Sequence, residues 1–306
     1  MALNIQTFKT RTGTAILFVI IMLAGLLINN WSFFVLFSII HFGCWHEYRQ
    51  LVNKIYPPYV GRGLIHEYGV MVLGWCFVLW RFHNPYPIGE VTLYGLGWYL
   101  FLLLAVFLMA KEIVFKKDID LKTVGYSVLG LLYISLSWGL MMNLRFDYWP
   151  VLNTLTISTE PGLVVVLLLI ATIWINDTMA YLVGSFIGKT PLSAISPKKT
   201  WEGTLGGAII AIVLAALLAV KITGMTLFIA FGITIIAAVM GTLGDLWESK
   251  LKRMAGVKDS GQIMPGHGGF LDRFDSLLLA TPFVWLFLWI MSGMPLKLTI
   301  TSIVCR

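Results

Sequence analysis

The chain has 306 residues and a formal net charge of +7, with 58% hydrophobic and only 12% charged residues and a mean hydropathy of +0.84. Soluble domains carry about 25% charged residues, so a water-soluble enzyme, a disordered chain and a disulfide-stapled secreted domain are excluded, and an all-α polytopic integral membrane protein is expected. The Lys/Arg excess is what cytoplasmic loops of such a protein accumulate, and it predicts no nucleic-acid partner.

Apolar runs bounded by charges, prolines or glycine-rich breaks predict nine transmembrane helices, near 14–28, 31–45, 68–82, 91–110, 123–143, 162–185, 204–220, 226–243 and 277–293. A full span needs about 20 residues, so the first two are short. Asn29-Asn30 between them is either the turn of a tight helical hairpin or a bend in one long helix. Nine spans with a cytoplasmic N-terminus put 17 of the 22 Lys and Arg residues on the cytoplasmic side, leaving Arg81, Arg145, Lys221, Lys297 and Arg306 outside. That asymmetry obeys the orientation rule. Lys9 and Arg11 before the first run also suit a cleaved leader, but no small-x-small site follows Leu27, so an uncleaved first span is expected. The organisation reads as one integrated membrane domain. Residues 1–160 are expected to supply lipid-facing helices, and residues 161–306 a C-terminal region whose candidate site lies on the cytoplasmic side. Cys44, Cys76 and Cys305 give neither a disulfide framework nor a metal-ligand spacing.

The acidic residues carry the chemical signal. Asp177, Glu202, Asp245, Glu248, Asp259, Asp272 and Asp275 cluster in the C-terminal half, several at the edges of apolar spans. An ionised carboxylate there is costly unless it is paired or bound to a cation. In the sixth span, Asn176, Asp177 and Tyr181 form a polar stretch, with Asp177 and Tyr181 four apart on one face. They predict either a polar helix contact or the floor of a cavity entered from the cytoplasm. The loop Ser196-Pro197-Lys198-Lys199-Thr200-Trp201-Glu202 precedes the seventh span. Its lysines, hydroxyls and backbone donors near a helix start suit an anion cradle, although a basic cytoplasmic loop satisfies the orientation rule as well. The last region, 244–276, holds Asp245 and Glu248 on one helix face and Asp272 and Asp275 on another, by their three-residue spacing. Four carboxylates offer hard oxygen ligands suited to Mg²⁺ rather than zinc. His267 lies in a glycine-rich turn between them. Carboxylates for a divalent metal, cations for phosphate and a membrane setting together point to phosphoryl or nucleotidyl transfer onto a lipid.

The segment Ser249-x-Leu251-Lys252-Arg253-x4-Lys258-Asp259-x-Gly261-x3-Pro265-x-His267-Gly268-Gly269-Phe270-x-Asp272-Arg273-Phe274-Asp275 resembles the signature of the phosphatidate cytidylyltransferases, or CDP-diacylglycerol synthases. Met264 departs mildly from it, standing where a Leu, Ile or Phe is usual. Upstream, Asn176-Asp177-Thr178-x-Ala180-Tyr181, Gly184, Gly188-Lys189, the 196–203 loop and Gly244-Asp245-Leu246-x-Glu248-Ser249 also resemble family segments. In the N-terminal half only hydropathy and the Trp45-His46-Glu47-Tyr48 exit from the second span do so. The resemblance implies a homodimeric helical membrane enzyme that converts CTP and phosphatidate to CDP-diacylglycerol and pyrophosphate. The compact length and the lack of targeting extensions point to a bacterial inner membrane, with an organelle membrane as the alternative. It also implies Mg²⁺ and K⁺ near the acidic cluster. Carried over by residue, it implies Asp245, Asp272 and Asp275 as metal ligands with Glu248 beside or among them. Ser196, Lys198, Lys199, Thr200 and Glu202 become nucleotide and phosphate contacts, and Lys258, Asp259, His267 and Arg273 complete the cavity around the phosphates. The competing readings are transfer to another lipid, such as a polyprenyl or ether-lipid phosphate, and an ion-coupled transporter.

Overall fold

A computed structural model of the protein describes residues 5–83, 92–115, 120–156, 160–261 and 268–293, with the backbone alone for 5–12 and 115. Ten α-helices follow one another: α1 (Ile5–Leu27), α2 (Asn30–Ile55), α3 (Leu64–Arg81), α4 (Leu93–Phe115), α5 (Leu121–Gly130), α6 (Leu136–Phe146), α7 (Pro161–Ile187), α8 (Trp201–Thr223), α9 (Leu227–Met254) and α10 (Leu271–Met291). A five-residue π-turn, Leu131–Ser135, joins α5 to α6 within one continuous rod. Counting that rod once, each expected apolar run corresponds to a helix. Six rods among the described residues are long and apolar enough to cross a membrane: Leu93–Val114, Leu121–Phe146, Pro161–Ile187, Trp201–Thr223, Leu227–Met254 and Leu271–Met291. Gly13–Leu27 is apolar but shorter. The protein is an integral membrane protein built of helices.

Local chemistry sets the helix ends. The break at Asn29 separates two helices, because Asn29 Oδ1 accepts the Ser32 N–H at 2.8 Å and Ser32 Oγ accepts the Asn29 N–H at 3.0 Å. This reciprocal capping starts α2 afresh. Thr200 caps α8 through the Gly203 N–H at 3.1 Å, and Gly224 ends it in the left-handed region at φ +74°. Several helices run further than the hydropathy predicts, α2 among them, which continues past residue 45 to Ile55. The acidic face of α9 continues the helix to Met254, and α10 begins at Leu271, so its first turns carry Asp272 and Asp275. The segment between α7 and α8, expected as a loop, is an antiparallel hairpin of β1 (Pro191–Ser193) and β2 (Ser196–Thr200), with Ser193 opposite Ser196. Pro197 favours this extended backbone at Ser196.

The core joins both halves of the chain. Phe37 of α2, Trp138 of α6 and Phe274 of α10 pack in series, tilted and then edge to face, with ring centroids 5.1 and 5.7 Å apart. The π-turn presents Ser135 to α2, where its hydroxyl accepts from Trp45 Nε1 at 2.8 Å and meets His41 Nε2 at 3.1 Å. Helices α7 and α8 meet over small residues: a side chain at Gly207 would strike the Ala180 backbone, and one at Gly203 the Gly184 backbone. Close packing over small residues is the usual means of helix association in lipid. Gly207→Val is therefore expected to destabilise the fold by about 1–3 kcal/mol, read as a lower melting temperature in detergent. An unchanged melting temperature would contradict the α7–α8 contact.

Candidate active site

The centre of the site is three carboxylates from two helices. One oxygen each of Asp245, Glu248 and Asp275 lies within 4.8 Å of the others. Asp245 and Glu248 are a helical turn apart on α9, and Asp275 projects from the second turn of α10. The helices approach closely because Gly244 faces the Asp275 backbone, where a Cβ would collide with the Asp275 carbonyl. Glu248 is 0% exposed and Asp275 8%. Neither oxygen of Glu248 accepts a well-formed hydrogen bond among the described residues, although the Lys252 ammonium lies against it as an ion pair. Asp275 takes the neighbouring Ser276 N–H at 2.6 Å. Carboxylates this close and this buried repel one another, and three oxygen ligands gathered from two helices suit a hard cation. The donor set therefore fits a divalent metal.

Two lysines partly balance the charge. Lys252, one turn beyond Glu248, pairs with Glu248 and also reaches Asp272 Oδ1 at 2.5 Å. Lys199, at the end of β2, pairs with Asp245. Burial pushes the Lys199 ammonium down from the usual lysine range, while Asp177 and Asp275 nearby oppose that shift. Asp272 adjoins the three carboxylates, but protein donors occupy it. Its Oδ2 accepts the Ser260 N–H at 3.0 Å, the Ser260 hydroxyl at 3.0 Å and the Gly269 N–H at 2.8 Å.

Beside Asp245 opens a cavity of about 350 Å³ lined by Asp177, Tyr181, Lys198, Lys199, Thr200 and Asp245, with Gly184 and Thr204 among its small walls. The sequence-derived nucleotide residues divide here. Lys198, Lys199 and Thr200 line the cavity, as do Asp177 and Tyr181, the latter 76% exposed. Ser196 and Glu202 are not in its lining. Ser196 pairs with Ser193 across the hairpin, and Glu202 accepts the N–H groups of Lys189 and Thr190 at 3.2 Å, which ties the start of the hairpin to α8. Asn176 is buried below the cavity and donates to Thr242 at 3.4 Å. Lys258 and Asp259 are exposed on the segment after α9, and Arg273 is exposed on α10, close enough to Asp177 for their charges to interact. His267 lies outside the described residues.

One residue of the site escaped the sequence reading. Glu47 of α2, 1% exposed, accepts the N–H groups of Phe270 and Leu271 at 2.8 Å each and the Ser260 hydroxyl at 2.7 Å. It binds the start of α10, where a negative charge meets free N–H groups and the positive end of the helix dipole. The signal available was the Trp45-His46-Glu47-Tyr48 exit from the second span, a carboxylate at the end of an apolar run.

Comparison with known proteins agrees with this geometry. The chain matches the model of the Cytidylyltransferase family over residues 9–291. It is 36% identical over 219 residues to a phosphatidate cytidylyltransferase of Bacillus subtilis (strain 168), covering 70% of this chain and 77% of that protein. It is 45% identical over 147 residues to the phosphatidate cytidylyltransferase of Synechocystis sp. (strain ATCC 27184 / PCC 6803 / Kazusa), 46% of this chain and 48% of that one. A phosphatidate cytidylyltransferase of Staphylococcus aureus (strain COL) is 45% identical over 127 residues, 41% of this chain and 49% of the relative. The buried carboxylates, the basic cavity beside them and this similarity along nearly the whole chain have one explanation: the chain belongs to the cytidylyltransferase family.

Proposed function

We propose that the protein is a phosphatidate cytidylyltransferase, converting CTP and phosphatidate to CDP-diacylglycerol and pyrophosphate for phospholipid synthesis. The observation that carries this reading is the convergence of Asp245, Glu248 and Asp275 beside a cavity walled by Lys198 and Lys199, in a chain whose relatives bear that name. A phosphatidate phosphate oxygen attacks the α-phosphorus of CTP, the bond from that phosphorus to the oxygen bridging the β-phosphate breaks, and pyrophosphate leaves. The nucleophile is already anionic, so charge neutralisation and in-line alignment are the main tasks.

In this reading Asp245, Glu248 and Asp275 would hold Mg²⁺, which supplies charge neutralisation and polarisation of phosphorus when bound. The full burial of Glu248 beside two other carboxylates supports that role. Five carboxylates, Asp177, Asp245, Glu248, Asp272 and Asp275, share the neighbourhood with Lys199, Lys252 and Arg273. These cations and one Mg²⁺ balance the five carboxylates, and a second, monovalent cation, K⁺, rests on the family resemblance. Lys198 and Lys199 hold the triphosphate, and Asp177 and Tyr181 form the cavity floor. Thr200, Ser196 and Glu202 keep the hairpin in the shape that presents both lysines. Asp272 and Lys252 order the helix start behind Asp275. Arg273, Lys258, Asp259 and His267 belong to the same reading as polar groups around the two phosphates.

Nine membrane crossings, a cytoplasmic N-terminus and a cytoplasmic active site complete the proposal, supported by the 17 of 22 basic side chains that this topology gathers on one side. The bacterial relatives support the inner membrane. Association as a homodimer rests on the family resemblance. The diacyl tails stay in lipid while the head group reaches the carboxylates.

Purified protein in detergent micelles, given α-labelled CTP, phosphatidate and Mg²⁺, is expected to form labelled CDP-diacylglycerol. Asp275→Asn should lower turnover about 100-fold or more while the protein stays folded. Absence of product with phosphatidate, but product with a polyprenyl phosphate, would reassign the acceptor, and a fully active Asp275→Asn protein would refute the site. Lys199 gives a pH dependence. Because burial lowers its proton affinity, the ammonium is lost at a lower pH than an ordinary lysine, whose value is about 10.4. The kcat/KM for CTP should fall along an alkaline limb below that value. Lys199→Arg, whose guanidinium stays protonated, should remove the limb. A limb that persists unchanged in Lys199→Arg would contradict the role given to Lys199.

A further inference from the structure

We propose that Glu47 of α2 is a positioning residue for the carboxylate site, acting on it through Ser260 and the first turn of α10. The inference rests on the reading of that site as a divalent-cation site and extends it to a residue in the N-terminal half of the chain. Four observations carry it. First, Glu47 binds both strands of the chain that converge on Asp272: the Ser260 hydroxyl at 2.7 Å on one side, and the Phe270 and Leu271 N–H groups at 2.8 Å on the other. Second, the Ser260 hydroxyl is also 3.0 Å from Asp272 Oδ2. It holds one proton between two carboxylates and thereby fixes their separation. Third, the chain has made room for this carboxylate. A Cβ at Gly261 or at Gly269 would collide with the Glu47 carboxyl group, and one at Gly43, a helical turn before Glu47, would collide with the Phe270 ring. The glycines on both flanks of the segment are thus explained by the Glu47 side chain, and Gly43 by the Phe270 ring whose N–H Glu47 holds. Fourth, the path continues unbroken to the site, since Asp272 pairs with Lys252 and Lys252 with Glu248, while Asp275 stands one turn beyond Asp272 on the helix whose start Glu47 holds.

Glu47 itself is not one of the three convergent carboxylates, so it is not expected to touch a bound ion or either substrate. Its oxygens are filled by three protein donors. What it controls is where α10 begins, and with that the distance from Asp275 to Asp245 and Glu248. A purely structural clamp would lower the amount of folded enzyme and leave the remaining molecules with normal cation and nucleotide behaviour. A positioning residue shifts the cation dependence of the folded protein.

Glu47→Gln separates these outcomes, because it keeps the size of the side chain but turns one acceptor into an amide donor facing an N–H or hydroxyl. Two readouts apply. The first is the Mg²⁺ concentration giving half the maximal rise in melting temperature of the substrate-free protein, and the second is the Mg²⁺ dependence of kcat and of KM for CTP. Residues that orient metal ligands from behind typically alter metal affinity 10–100-fold, so Glu47→Gln should raise the Mg²⁺ midpoint about tenfold or more in both. Ser260→Ala removes only the bridging hydroxyl and leaves the helix start bound to Glu47, so it should move the midpoint the same way by less. It also serves if Glu47→Gln does not fold. Variants that keep the wild-type midpoint and lose only folded yield or kcat would overturn the positioning role. A wild-type protein whose melting temperature ignores Mg²⁺ would instead overturn the cation site, and the relay with it.

Discussion

The structure depends on a conflict between like charges and a low dielectric. Asp245, Glu248 and Asp275 hold oxygens within 4.8 Å of each other at the ends of apolar helices. In such surroundings an uncompensated carboxylate is expensive, and several together are more so. Nothing in the packing of a helix bundle requires that arrangement. The neighbouring features read as responses to it. Lys252 comes one turn after Glu248 on the same helix, Lys199 is delivered by the hairpin, and the backbone at Gly244 lets α10 come close enough for Asp275 to join the pair from α9. The ammonium groups offset part of the charge. A divalent cation would offset the rest and leave positive charge facing the phosphates of the substrates.

The same conflict explains why the carboxylate cluster draws on the N-terminal half of the chain. The first two turns of α10 must hold Asp272 and Asp275 in fixed positions, yet the free N–H groups of a helix start need acceptors when they are buried. Glu47, from a helix more than 200 residues earlier in the chain, supplies them. The aromatic series Phe37–Trp138–Phe274 ties α2 to α10 a second time, through α6. The N-terminal helices therefore do more than cover the catalytic region with lipid-facing surface; one of them anchors the helix that carries half of the acidic signature.

Much of this was legible in the sequence, for identifiable reasons. Hydropathy marks helices through composition alone, so each apolar run has its helix, and the three-residue spacing of Asp245 and Glu248 and of Asp272 and Asp275 put each pair on one face. Helix ends were less legible: α9 runs on to Met254 because charged residues paired across one turn sustain a helix that hydropathy would end. The roles within the signature were also hidden. Spacing treats Asp272 and Asp275 alike, but tertiary contacts give Asp272 to Ser260, Gly269 and Lys252 and leave Asp275 to the shared site. Glu202, read as a phosphate contact, bonds backbone N–H groups of the hairpin, a local arrangement that periodicity does not encode. Glu47 was invisible in its role because its partners lie beyond the reach of any local pattern.

The central claim is that Asp245, Glu248 and Asp275 together form one divalent-cation site. Mn²⁺ binding to purified, substrate-free protein, followed by electron paramagnetic resonance, tests it most directly. The account predicts one bound Mn²⁺ per chain, displaced by Mg²⁺, and a loss of affinity of about tenfold or more in Glu248→Gln. A Glu248→Gln protein that binds Mn²⁺ as the wild type does, with the same stoichiometry and affinity, would contradict it.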